Sequence, residues 1–243
     1  MGYDDEVDAR GVYDAMAAAY VADESNAYNS LYERPAMLGL LGDVRGRSVL
    51  DLGAGAGALA VELVARGAGP VVGVDVSPEM VAVARARAVG ATFVVGDVAD
   101  GALRAFADGA FDLVAASLMM HYVRDWEPVL GELARVLAPG GRIVFSTHHP
   151  EMTARAFPAT QGKDVALVCD RWEKGGEGFD VRFYARSLAA MEASIAASGL
   201  VLERWVEPQP LPACEVADPV AWERLTTLPW FVFGVLSAGA CSS

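Results

Sequence analysis

The segment Val49-Leu50-Asp51-Leu52-Gly53-Ala54-Gly55-Ala56-Gly57-Ala58 limits the folds open to this chain more than any other. A short apolar run ends in three glycines at alternate positions and passes directly into a helix-forming run at 58–66. With no side chains at Gly53, Gly55 and Gly57, a ligand can touch bare backbone and meet the positive end of the following helix. Such a loop works between a strand and a helix, so the segment predicts the opening unit of a parallel sheet.

The downstream sequence supplies the remaining strands. β-rich stretches at 48–52, 70–74, 92–95, 111–117 and 142–147 alternate with helical stretches at 58–66, 78–89, 103–107 and 127–137, the order of a doubly wound α/β sheet. Ser77 can cap the second helix, Pro78 suits its first turn, and Glu79 suits its positive end. Ala138-Pro139-Gly140-Gly141 stops the helix before the fifth strand. A helix at 188–198, closed by Gly199, and strands at 200–206 and 230–236 complete the series.

Two stretches stand outside the alternation. Residues 1–47 read as an N-terminal helical cap, and about 148–187 as an insertion carrying β-like runs at 165–172 and 179–185 around Gly175-Gly176. The expected organisation is a cap, 1–47, and a ligand-binding domain, 48–243, with a hairpin lid inserted after strand five. Segments placed at the carboxyl ends of parallel strands lie over the ligand crevice.

Composition narrows the partners. Nineteen basic against 32 acidic residues give a net charge of −13, which repels polyanions and argues against nucleic acid or an anionic membrane surface. Cys169, Cys214 and Cys241 lie far apart with no metal-binding spacing, so no metal is expected and a reducing compartment is. The first residues lack a secretion-signal pattern, and the apolar run 228–236 is too short, with Pro229 inside it, to span a bilayer as a helix. The expectation is a cytoplasmic protein acting on a small molecule, with a homodimer left open.

Two acids point to the ligand. Asp75, 22 residues after Gly53, ends the second strand, where a carboxylate can accept both hydroxyls of a ribose. Asp97 ends the third, where a carboxylate can accept from an exocyclic amine. Gly53-x-Gly55-x-x-Ala58 also fits the dinucleotide fingerprint with alanine in third place. Pattern alone therefore leaves a nicotinamide dinucleotide and S-adenosylmethionine both open.

The stretches VLDLGAGAGALA, GVDVSPEM, VVGDVAD, FDLVAASLMMHYVRDW and VLAPGGRIVFS resemble the successive motifs of class I S-adenosylmethionine-dependent methyltransferases, in order and at their usual spacing. The upstream ESNAYNSLYERPAMLGLLGDV is similar to the leading helix of small-molecule methyltransferases of the ubiquinone/menaquinone-biosynthesis type, methyltransferase type 11. The resemblance covers about residues 25–236. It implies a seven-stranded, mostly parallel Rossmann-like sheet whose last strand is antiparallel. It also implies S-adenosyl-L-methionine as cofactor, S-adenosyl-L-homocysteine as product, and methyl transfer to O, N or C of a small acceptor.

Carried over by position, the resemblance puts Gly53, Ala54, Gly55 and Gly57 at the methionine end of the cofactor, with Asp51 beside them. It puts Asp75 and Val76 at the ribose, Met80 against the adenine, and Asp97 with the Val98 backbone at its amine. Ser117 would face the methionyl part, and Tyr20, Tyr28 and Arg34 would close over it. Ala54 stands where many relatives have cysteine and Ala138 where many have lysine. An NAD-dependent oxidoreductase on a similar sheet and a non-catalytic cofactor-binding domain are the competing readings.

A methyl sulfonium is already an activated donor, so the protein mainly aligns a nucleophile and excludes water. An oxygen or carbon nucleophile often needs a base, and histidine suits that work. His121, His148 and His149 all fall at or after strand ends on the cofactor side and are the candidate catalytic residues. Because His148 and His149 are adjacent, they point apart and at most one faces the methyl group. Trp172, Phe179, Phe183 and Tyr184, with Tyr122 and Trp126, would either wall an aromatic acceptor or pack the hairpin down. Arg171, Arg182 and Arg186 would either bind an acidic substrate or offset local acid.

Overall fold

The expected alternation is realised in a computed structural model that describes residues 7–23, 25–174 and 176–239. The chain opens with α1 (Ala9–Ala22) and α2 (Arg34–Leu41), the second entered through a π-helical turn at Asn29–Glu33. Then follow β1 (Val49–Leu52), α3 (Ala58–Ala65), β2 (Val71–Asp75), α4 (Pro78–Arg87), β3 (Ala91–Val95), β4 (Phe111–Ala116), α5 (Trp126–Val136) and β5 (Leu137–His148). Beyond β5 come α6 (Pro150–Ala156), the hairpin β6 (Val165–Lys174) and β7 (Glu177–Arg186), α7 (Leu188–Ala197), β8 (Leu200–Val206), α8 (Ala213–Ala217), α9 (Pro219–Thr227) and β9 (Phe231–Ala238).

Seven strands form one sheet in the order β3-β2-β1-β4-β5-β9-β8. The first five pair in parallel, and β9 runs antiparallel to both its neighbours. β1 sits at the point where the order reverses, and all four of its residues are buried, as a strand covered on both faces requires. The crevice of such a sheet opens at the carboxyl ends of the strands beside that reversal, here β1 and β4.

Side chains alternate between two cores. Val49, Leu113 and Val144 face one cluster with Met37, Leu38 and Leu63 of α2 and α3. Leu50, Val114 and Phe145 face the other with Trp126, Leu130 and Met191 of α5 and α7. The two-residue period of a strand then sends Asp51, Ser146 and His148 toward the α2 side, with Ser117 following Leu113 and Ala115 on β4. This parity decides which polar groups meet the cap.

The π-helical turn has a local cause. Pro35 has no N–H for the Leu31 carbonyl four residues earlier. That carbonyl instead accepts from Leu211 N at 2.8 Å, while Arg34 N–H reaches back to Asn29 O. The widened turn buries both Tyr32 and Glu33.

Several elements depart from expectation. The helix expected at 103–107 is a 3₁₀ turn, Ala102–Ala105. The Ala138–Gly141 stop does end α5, but it continues as a bulge within β5, where pairing jumps from Phe111–Leu137 to Leu113–Arg142. Three helices, α6, α8 and α9, were not expected. Their start signals, Pro150, Pro212 and Asp218-Pro219, are present, but the segments are too short to show a helical period. The hairpin is as expected and forms its own two-stranded sheet, with Gly175 of its turn outside the described residues. Cys169 and Cys214 are free thiols, and Cys241 lies outside the described residues.

The inner face of the sheet leaves no room at Gly234 of β9. A Cβ there would stand 2.2 Å from Phe145 Cε1 in the buried core. Gly234→Ala should destabilise the protein by about 1–3 kcal/mol. The expected result is a lower midpoint in urea unfolding with an unchanged slope.

Candidate active site

The glycine loop is shaped from both sides. Gly53 has φ +69, and a Cβ there would lie 2.4 Å from Met119 Cβ. Gly55 has φ +51 and open space where a Cβ would stand, so its backbone faces the cleft uncovered. Its N–H donates to Asp75 Oδ2 at 2.8 Å, and Asp75 Oδ1 accepts from Ser77 N at 2.9 Å. Each carboxylate oxygen keeps a further acceptor position. Ser77 caps α4 as expected, accepting from Met80 N, and its hydroxyl donates to Asp14 of α1 at 2.5 Å.

A cleft of about 1610 Å³ opens above these strand tips. Of the residues expected at the cofactor, Asp51, Gly53, Ala54, Gly55, Asp75, Val76, Asp97, Val98 and Ser117 line it, as do Tyr20, Tyr28 and Arg34 of the cap. Asp97 is exposed and accepts from Ala99 N at 2.8 Å. Two expected residues do not line the cleft. Met80 is fully buried against Ala17 and Ala56, because its position on α4 faces the docked α1. Gly57 turns the chain into α3 behind the loop, against Ala84.

The histidines separate. His121 and His148 both line the cleft, with near-parallel rings 4.2 Å apart. Phe231 lies beyond His148 at 6.1 Å and Tyr32 beyond Phe231 at 5.5 Å, each tilted by no more than 20° from its neighbour. Phe183 of β7 meets His148 edge-on at 4.5 Å. Neither ring nitrogen of His121, nor Nδ1 of His148, has a partner among the described residues. Burial holds the His148 imidazole down to about 4, and burial with the neighbouring His148 holds His121 well below its ordinary value. Both rings are neutral at pH 7.

His149 belongs elsewhere and is withdrawn as a catalytic candidate. Its Nδ1 caps α6 by accepting from Glu151 N at 3.1 Å, and its Nε2 lies 3.2 Å from Glu207. The residue is buried away from the cleft lining, since adjacent strand positions face opposite ways. Among the expected aromatic walls, Tyr122, Trp172, Phe183 and Tyr184 line the cleft, but Phe179 and Trp126 do not. Trp126 is committed to the far core, with its Nε1 donating to Met120 O and Arg186 stacked on its face. Arg171 and Arg182 line the cleft, and Arg171 is paired with Asp180 at 2.7 Å.

Sequence reasoning missed Glu33. It is 3% exposed, lines the cleft, and accepts at Oε1 from Ser146 Oγ at 2.6 Å and Ser117 Oγ at 2.9 Å. No local signal marks it, because a glutamate in a helical run reads as a solvated face. It also missed Tyr13, whose hydroxyl is 2.9 Å from that of Tyr122. The hairpin tip closes on the cap through Lys174, which pairs with Asp23 and sits 5.8 Å from the Tyr20 ring centroid.

Together, a doubly wound sheet, a bare glycine loop and acids at successive strand tips define a nucleotide-cofactor-binding α/β protein. A family profile described as "Methyltransferase domain" matches residues 50–145. A demethylmenaquinone methyltransferase of Mycolicibacterium paratuberculosis is 37% identical over 167 residues, 62% of this chain and 69% of that one. The corresponding enzyme of Thermus thermophilus is 45% identical over 100 residues, 40% of this chain and 46% of that one. An S-adenosylmethionine-dependent methyltransferase from Mesorhizobium loti superposes with a TM-score of 0.67 at 26% identity, covering 83% of this chain and 95% of that one. The chain belongs to the class I S-adenosylmethionine-dependent methyltransferases. The stretch matched in the Thermus enzyme is under half of that protein's length. The dinucleotide reading of the loop falls with this membership.

The residues fit the family's cofactor. Gly55 leaves room for a ligand, Asp75 retains acceptor positions, and Asp51 Oδ2 is buried on the cleft without a partner among the described residues, where a cationic group would satisfy it. When bound, S-adenosylmethionine supplies a methyl group on a cationic sulfur.

Burial, with Asp75 and Glu33 nearby, pushes the Asp51 carboxyl from 3.8 up to about 7. The folded chain therefore holds this proton more tightly than the unfolded chain, and ionising Asp51 works against folding. Stability of the ligand-free protein should fall as pH rises from about 4 to about 7. Asp51→Asn should make that decline shallower, as read by thermal melts across the range.

Proposed function

We propose that this protein transfers the methyl group of S-adenosylmethionine to an oxygen, nitrogen or carbon atom of a small-molecule acceptor with a flat apolar body. The observation that carries the reading is continuity. The bare Gly53–Gly55 loop and Asp75 open directly into a chamber walled by Phe183, Phe231 and Trp230, with the neutral His121–His148 pair among them. Activated donor and acceptor can thus lie in one cleft, where alignment alone is worth roughly 7–11 kcal/mol of barrier.

In this reading Gly53, Ala54 and Gly55 meet the methionyl end, with Asp51 toward its cationic groups and Arg34 toward its carboxylate. Asp75 and Val76 take the ribose, Asp97 and Val98 the adenine amine, and Tyr20 and Tyr28 cover the site from the cap. Gly57 and Met80 support it from behind. His148 and His121 hold the acceptor by hydrogen bonds to their unpartnered nitrogens, since imidazoles this reluctant to take a proton anchor better than they act as bases. Similarity to demethylmenaquinone methyltransferases supports a planar acceptor.

Isothermal calorimetry with S-adenosylhomocysteine, with a screen of metabolite pools using methyl-labelled cofactor, tests the reading. Asp75→Ala should weaken binding about tenfold or more, since it also frees the Gly55 loop. His148→Ala should cut labelled transfer about 100-fold while leaving that affinity within about threefold. Cofactor binding with no labelled product from any pool would leave a non-catalytic binder instead.

A further inference from the structure

Glu33 is held as though for a task. Its Oε1 is occupied by two hydroxyls, and the direction of one is fixed by its own partner. Leu118 N–H donates to Ser146 Oγ at 2.9 Å, so the single Ser146 proton is left to point at Glu33. Leu118 reaches that position with φ +48, in the left-handed region that a leucine rarely adopts. Such backbone strain persists where surrounding structure overdetermines it, often at functional sites. The π-helical turn that carries Glu33 is a second local irregularity at the same spot, again of a kind often found at functional sites.

These restraints secure only one oxygen. Oε2 accepts no hydrogen bond among the described residues, and Glu33 lines the cleft beside Asp51, Arg34 and Ser117. A carboxylate buried to this degree is costly unless its remaining capacity is used. If its only work were to tie the cap to the tips of β4 and β5, an uncharged amide would do it at lower desolvation cost. Burial pushes the Glu33 carboxyl above its ordinary value, as suits a proton acceptor, and the two serine hydroxyls and Arg34 oppose that rise without cancelling it.

We propose that Glu33 presents Oε2 to the reaction centre and receives the proton of an acceptor that carries an ionisable hydroxyl or amine. This rests on the methyltransferase reading above and narrows its substrate class. The acceptor's O–H or N–H bond breaks, with the proton going to Oε2. The electron pair of the attacking atom forms the new bond to the methyl carbon, and the pair of the broken S–C bond stays on sulfur. Glu33 then returns its proton to water as product leaves.

The test needs no knowledge of the acceptor. Sinefungin carries carbon in place of the sulfonium sulfur and an ammonium group in place of the methyl, so its N–H donors point from the methyl position toward the acceptor side. Calorimetry should show sinefungin binding about tenfold tighter than S-adenosylhomocysteine, as expected for a charge-assisted bond. In Glu33→Gln that preference should disappear, with S-adenosylhomocysteine affinity within about threefold of the parent and a native-like melt. A preference unchanged in Glu33→Gln, or absent from the parent, overturns the proposal. So does loss of S-adenosylhomocysteine binding in a folded Glu33→Gln, which would make Glu33 a holder of the cofactor tail. Failure of the parent to bind either compound would instead sink the methyltransferase reading. Should Glu33→Gln not fold, Ser146→Ala keeps the carboxylate but removes one of its anchors. It should reduce the preference, and no reduction overturns the proposal.

Discussion

The Asp75 carboxylate is the tie on which the site depends. One oxygen holds the N–H of Gly55 and the other that of Ser77, so a single side chain fixes the loop after β1 to the start of α4 across the β1–β2 pair. A free glycine loop would sample many conformations, and ordering it costs backbone entropy. Here the Asp75 carboxylate supplies part of that ordering through the Gly55 N–H. The same turn recruits the cap, because the Ser77 hydroxyl that completes the α4 cap also donates to Asp14 of α1. Loop, helix and cap are therefore set by one short chain of hydrogen bonds.

Strand parity then sorts the chemistry. Asp51, Ser146 and His148 share a face only because each is an even number of residues from Val49 or Val144, which point into the α2-side core. One position away, His149 turns out of the cleft and becomes a helix cap. The result is a concentration of acids, Glu33, Asp51 and Asp75, all pushed toward protonation by burial. Three acids so close together favour a positive charge beside them.

Much of the sheet was legible because parallel strands and their helices carry strong periodic signals, and the glycine loop has few structural uses. The Ser77 cap and the hairpin followed from residues whose local chemistry decides their place, whereas the antiparallel direction of the last strand came only with the family resemblance. The misses share a physical origin. Met80 lies beneath α1, and the docking of one helix on another is not encoded in either alone. Glu33 faces inward because Pro35 removes one donor and Leu211, far along the chain, satisfies the carbonyl left over. A helix read with a uniform 3.6-residue period cannot show that shift. The ring series Tyr32, Phe231, His148, His121 draws on four separate segments, and no spacing along the chain announces it.

Among the described residues the hairpin of β6 and β7 pairs only with itself, and none of its ladder bonds belongs to the seven-stranded sheet. Exchanging or reshaping it leaves the register of every other strand intact. Its two strands can therefore be redrawn without altering the pairing of β1 with β2 that places the Gly53–Gly57 loop beside Asp75.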